Sequence, residues 1–199
     1  NSFGDNFIGP RSGTPGPRKK LRVYFHLGLL YRGPRTTNWG NSLLVGYQIL
    51  RGELSADVEA AFCEMGRLAF EESSFCGLVD FDEGRLLEVA RKYAVEDGHV
   101  LMIAVDDDRP VGVFAGHTSD FYFSSDKFAR DVLWYVREEY RKVGVGLVLL
   151  GLFEEWARLE DAKMVYLSQD SGINVDKFNR ILGKRGYNLV GSNYSLGVS

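Results

Sequence analysis

A chain of 199 residues, 45% of them hydrophobic and 26% charged, has the makings of one globular domain with a proper core. No apolar run approaches the roughly 20 residues that cross a bilayer, which excludes an integral helical membrane protein. The net charge of −3 divides unevenly: residues 1–43 carry +6 and the remainder −9, so a cationic arm precedes an acidic body.

Residues 1–18 are rich in Gly, Pro and Ser and lack the apolar surface to fold alone. The opening Asn-Ser-Phe-Gly-Asp shows neither an initiator Met nor a signal-peptide pattern, so the chain is expected to begin downstream of its true start. Residues 19–43 interleave basic side chains with Leu21, Val23, Tyr24, Phe25 and Tyr31, as an extended strand or a docked arm would. We therefore read 1–43 as a basic Gly/Pro-rich arm and 44–199 as the folded domain.

Within the domain, Val45–Arg51 predicts a strand. Ser55 is placed to cap a helix carrying Val58, Ala61, Phe62, Met65, Leu68 and Ala69 at helical spacing. Leu86, Leu87, Ala90 and Tyr93 mark a second helix. Val100–Val105 and Val111–Ala115 predict a hairpin around Asp106-Asp107-Asp108. That acidic triplet is better explained by turn chemistry than by a metal, because further spaced oxygen ligands are missing. A strand over Val132–Val136 and an amphipathic helix over Leu147–Leu159 follow. Then come a strand over Met164–Leu167, a helix over Val175–Lys184 and a strand pair over Tyr187–Leu196. The order β-α-α-β-β-β-α-β-α-β predicts an α/β fold with a mixed sheet. Cys63 and Cys76, in apolar surroundings without metal spacing, read as reduced core thiols in a cytoplasmic, reducing compartment.

Chemistry concentrates where the Val132–Val136 strand runs through Arg137-Glu138-Glu139-Tyr140 into Arg141-Lys142-Val143-Gly144-Val145-Gly146. Glycine allows a ligand close to the backbone, and the first amides of a helix lack internal partners and attract anions. Arg141 and Lys142 add two cations. The pattern predicts a phosphate or pyrophosphate site, although a tight strand-to-helix turn accounts for two glycines equally well. The Walker loop and the dinucleotide fingerprint are both absent from the sequence.

Arg141–Gly146 resembles the R/Q-x-x-G-x-G/A signature of the GNAT acetyltransferases, and the preceding Leu133-Trp134-Tyr135-Val136 looks like their fourth strand. The element order over roughly residues 45–197 continues the likeness. Ser171-Gly172-Ile173-Asn174 is similar to a stretch in small phage and bacterial members. The resemblance implies the acyl-CoA N-acyltransferase fold, with acetyl-CoA as co-substrate and an amine acceptor of unknown identity. It further implies that backbone groups of Tyr135 and Val136 hold the pantetheine arm. Arg141, Lys142, Val143, Gly144, Val145 and Gly146 would hold the pyrophosphate, and Asn174 and Phe178 would flank the cofactor. In such enzymes the amine attacks the thioester directly, helped by a carboxylate base and a proton donor. Asp131 is our choice of base over Glu138 and Glu139.

One departure stands out. Leu182 occupies the position, four residues before the Gly186-Tyr187 step, where such enzymes place a tyrosine to protonate the leaving thiolate. Tyr135, Tyr187, Ser171 or water is the candidate substitute, with Tyr135 our choice. The alternative is a protein of this fold with reduced catalysis, built into a large assembly such as a phage virion through residues 1–43. The arm itself admits three readings: an appendage, a non-specific phosphate-backbone contact, or that docking segment. The acidic body disfavours a dedicated nucleic-acid-binding domain. His117 reads as an ordinary surface histidine near the acceptor side, and Phe121, Tyr122, Phe123 and Phe128 as an acceptor wall or packing surface.

Overall fold

The computed structural model describes residues 45–196. The basic arm, and with it each reading of residues 1–43, lies outside the described residues.

Five strands form one sheet in the order β1-β2-β3-β4-β5: Val45–Leu50, His99–Asp106, Arg109–Asp120, Lys127–Val136 and Ala162–Tyr166. The first four are mutually antiparallel and β5 joins β4 in parallel. Helices α1 (Ala56–Glu72) and α2 (Glu83–Val95) cover one face, while α3 (Val145–Leu159) and α4 (Val175–Lys184) cover the other. The mixed α/β architecture expected from the sequence is the one observed.

Local chemistry explains the boundaries. The Ser55 hydroxyl accepts from the Val58 amide and the Asp82 carboxylate from the Arg85 amide, so each helix of the first pair begins at a side-chain cap. Asp107 and Asp108 both adopt left-handed φ values, 45° and 66°, which makes a two-residue hairpin turn of the kind that matches strand twist. The acidic triplet is therefore a turn, and among the described residues no group of acidic, His or Cys side chains is arranged to hold a metal.

The sheet buries two separate cores. Leu101, Ile103, Val113, Ala115 and Tyr135 face Phe62, Met65, Ala90 and Tyr93. Val100, Met102, Phe114, Ala129 and Val136 face Leu149, Leu150, Phe153 and Leu182. Close approach of α3 depends on Gly116, where a Cβ would lie 2.5 Å from the Phe153 ring and 2.8 Å from the Arg130 carbonyl. Opposite that glycine the β3–β4 register slips: Ala115 pairs with Leu133 but Gly116 pairs with Asp131, leaving Val132 as an extra residue. The bulge reverses which residues of β4 face which core. Tyr135 lies on the α1/α2 face, and Asp131 shares Gly116's position on the α3 face.

Three expectations need correction. Tyr187–Leu196 forms no strand pair; Leu189, Val190, Tyr194 and Leu196 are exposed in irregular chain. Its apolar alternation finds little to cover, since β5 is only five residues long and Met164 remains exposed. Cys63 is buried as expected, but Cys76 is exposed, because the turn after α1 carries it away from the core. Asp131 does not precede β4 but lies within it, since the strand begins at Lys127. No helix among the described residues is long and apolar enough to cross a membrane.

Candidate acyl-donor and acceptor site

The site begins with an incomplete pairing. Strand β5 accompanies β4 only over Lys127–Arg130, so from Asp131 to Val136 the edge of β4 facing β5 has no strand beside it among the described residues. Backbone amides and carbonyls along such an edge are available to an extended ligand. The chain beyond β5 closes the far end of the gap, where the Ser168 amide donates to the Asp131 carboxylate at 2.9 Å. The Ser74 amide at the end of α1 donates to the Ser171 carbonyl at 2.9 Å, joining the α1 terminus to the loop before α4.

At the open end of β4 the chain makes a 3-10 turn over Glu138–Tyr140 and then enters α3. The Tyr140 hydroxyl donates to Asp106 at 2.7 Å and anchors this turn to the β2–β3 hairpin. Helix α3 opens at Gly144, whose φ of 89° favours glycine, and no side chain caps it. A Cβ at Gly144 would meet no atom of the described residues within 4 Å, so among them the space beside it is open to a ligand. With the first amides of α3 lacking helical acceptors, Gly144–Gly146 form a positively polarised cradle suited to an anion, while the Val143 amide donates to the Tyr140 carbonyl at 3.4 Å.

The two cations predicted beside that cradle differ in their surroundings. Lys142 is exposed. Arg141 is engaged: its Nε donates to the Val136 carbonyl at 2.8 Å, and its Nη2 donates to the Glu72 carboxylate at 2.6 Å. Glu72 also accepts from the Tyr135 hydroxyl at 2.5 Å, while the guanidinium lies 5.3 Å from the centre of the Tyr135 ring. Burial, followed by this bond to Glu72, pushes the Tyr135 hydroxyl well above its ordinary range and keeps it protonated.

Asp131 is 7% exposed, and burial raises its carboxyl to about 6 against the partial opposition of the Ser168 amide. A carboxyl with that value exchanges protons close to neutral pH. Asn174 begins α4 in a left-handed conformation at φ 53°, with its side chain exposed and its carbonyl accepting from the Phe178 amide. Phe178 packs 5.6 Å from the Trp134 ring, and Trp134 in turn adjoins Gly146. Leu182 is buried in the α3-side core. Of the candidate substitutes for a tyrosine there, Tyr187 donates to Glu154, which also holds Arg185 through two bonds of 2.7 Å. Ser171 sits in the loop before α4, its hydroxyl accepting from the Ile173 amide at 3.5 Å.

Glu72 was not anticipated, although helix phase carries the signal: Met65, Leu68 and Ala69 are followed on the same stripe by residue 72. His117 is another correction. Instead of lying free on the surface, it receives or gives a 2.8 Å hydrogen bond with the Tyr93 hydroxyl and stacks on His99, where burial lowers its pKa. Phe121 and Phe128 pack with Tyr166, whereas Tyr122 and Phe123 remain exposed.

The described residues thus form a five-stranded mixed sheet, open between β4 and β5 and followed by a glycine-led helix without a side-chain cap. The model of the acetyltransferase (GNAT) family matches residues 65–180, and the chain belongs to that family. Acetyl-CoA is the co-substrate of these acetyltransferases. No curated protein matches the chain.

Solved structures share the fold at low identity. An aminoglycoside acetyltransferase from an uncultured soil metagenomic sample superposes with a TM-score of 0.59 at 15% identity, covering 78% of this chain and 99% of that one. Another from such a sample, in complex with sisomicin, gives 0.55 at 16% identity, covering 76% and 96%. The aminoglycoside N-acetyltransferase AAC(6')-Iy in complex with CoA gives 0.61 at 10% identity, covering 80% and 97%.

Proposed function

We propose that this protein is an acetyl-CoA-dependent N-acetyltransferase acting on a small, cationic amine. The observation that carries the reading is the unpaired edge of β4 at Asp131–Val136 leading directly into the open cradle at Gly144. In this reading the backbone of Tyr135 and Val136 holds the pantetheine arm. The amides of Val143, Gly144, Val145 and Gly146, with Lys142 and Arg141, hold the pyrophosphate. Asn174 and Phe178 border the cofactor from α4.

The chemistry then needs one base and one acid. Asp131, with a carboxyl near 6 on the α3 face of β4, accepts the amine proton through water at the open edge of the strand, while Tyr135 stands on the opposite face. Tyr135, whose hydroxyl proton is directed at Glu72, is the proton donor for the departing thiolate in place of the residue that Leu182 replaces. Amides along β4 stabilise negative charge on the carbonyl oxygen during attack. The segment Glu71–Glu83, joining α1 to α2, contains Glu71, Glu72, Asp80, Asp82 and Glu83 and not one Lys or Arg, which favours a cationic acceptor. The three aminoglycoside acetyltransferases that share this fold are in keeping with such an acceptor. Two free thiols, at Cys63 and Cys76, accord with a cytoplasmic setting.

Calorimetric titration with acetyl-CoA tests the reading. Saturable binding is expected, and Gly144→Val should abolish it, because a branched side chain at φ 89° strains the turn and fills the cradle. Undiminished affinity in a folded Gly144→Val protein would sink the assignment of the cradle.

A further inference from the structure

The Glu72–Tyr135–Arg141 cluster joins two functions that the proposed reaction keeps apart. Arg141 belongs to the pyrophosphate loop, yet its guanidinium is committed to Glu72 on the α1 side of β4. Glu72 belongs to the acidic segment that the proposed reading turns toward the acceptor, yet both of its oxygens are occupied, one by Tyr135 and the other by Arg141. The pair is only partly shielded, with the Arg141 side chain 22% and the Glu72 side chain 33% exposed. An ion pair of that kind is held weakly enough for a stronger anion to displace it. A pyrophosphate in the cradle is such an anion, since it carries more charge than one carboxylate and meets arginine through paired oxygens.

We propose that Glu72 is a positioning residue that competes with the acyl donor's pyrophosphate for Arg141, so that donor binding uncovers the Glu72 carboxylate for the acceptor's ammonium group. This rests on the acetyl-CoA reading given above. Before the donor arrives, Glu72 is neutralised and attracts no cation. When the donor takes Arg141, one carboxylate oxygen is released beside Tyr135, and the acidic segment gains an unpaired charge at its α1 end. The same exchange lifts Arg141 Nε from the Val136 carbonyl, freeing that carbonyl for the pantetheine arm. By linkage, whatever binds Glu72 tightens donor binding by the factor that the donor tightens it.

The experiment is a double-mutant cycle read by calorimetry with acetyl-CoA, using wild type, Glu72→Gln, Arg141→Ala and the double variant. Removing the competitor should tighten acetyl-CoA binding by about fivefold in Glu72→Gln, the scale of a half-exposed ion pair. In the Arg141→Ala background the same substitution should change affinity little, because the contested cation is gone. Glu71→Gln, which removes the neighbouring charge without touching Arg141, should leave affinity near that of wild type. Unchanged or weaker binding by Glu72→Gln overturns the inference while leaving the acetyltransferase reading intact. Equal tightening in both backgrounds, or in Glu71→Gln, also overturns it, since the effect would then be one of overall charge. Absence of saturable binding by folded wild type would defeat the acetyltransferase reading, and this inference would fall with it.

Discussion

Asp131→Asn should make the protein more stable and less active, two effects of opposite sign from one atom. Burial holds the Asp131 carboxyl at about 6 against an ordinary 3.8, a difference worth about 3 kcal/mol of destabilisation at pH 7. In the folded chain the group keeps its proton up to about 6, while the unfolded chain loses it near 3.8. Between those values the native state binds more protons, so stability falls as pH rises through the window. Asparagine removes the ionisation and retains an oxygen to accept from the Ser168 amide, but it introduces an NH2 group whose burial costs about 1 kcal/mol. The net expectation is a gain of about 2 kcal/mol at pH 7, shrinking to near zero at pH 4.5. Urea denaturation of both proteins at the two pH values measures this directly. Acetyl transfer, followed by release of free thiol, should fall about a hundredfold if Asp131 is the base. A variant that is destabilised at pH 7, or whose advantage is the same at both pH values, would refute the electrostatic argument.

Gly116→Ala should be costly for its size, because the added methyl meets both the Phe153 ring and the Arg130 carbonyl. We expect a loss of about 2–3 kcal/mol, visible as a melting temperature lower by several degrees. Leu182→Tyr should not restore a proton donor: the site is buried against α3 and the sheet, so the larger side chain overpacks the core. Calorimetric melting should show destabilisation of about 1–3 kcal/mol, with no rise in thiol release. An Leu182→Tyr protein that melts like wild type and turns over faster would show that the core accommodates the hydroxyl.

Much of the fold was legible because local signals are strong here. The Ser55 cap, the apolar stripe from Val58 to Ala69 and the Val175–Lys184 helix are each written in residues close in sequence. The Asp107-Asp108 turn follows from which residues tolerate positive φ. The failure at Tyr187–Leu196 has the complementary cause: alternation specifies a strand only when an edge is there to receive it, and that depends on distant residues. The bulge at Val132 was equally invisible, since its presence rests on how β4 fits Gly116 and Phe153.

The candidate site divides along the same line. That Arg141–Gly146 turns from strand into helix could be read from sequence, because glycines placed there permit the left-handed backbone that Gly144 adopts. Where Arg141 points could not be read, because its partner Glu72 lies 69 residues away on another element. By itself, then, the sequence determined most of the elements and their order, and the glycine-led entry into α3, all products of short-range backbone preference and periodicity. Only the tertiary structure decided that Asp131 is buried, that Tyr135 meets Glu72 and that β4 is left bare beyond Arg130. Those facts depend on which side chains desolvate one another across the sheet, and no local pattern in the chain encodes that.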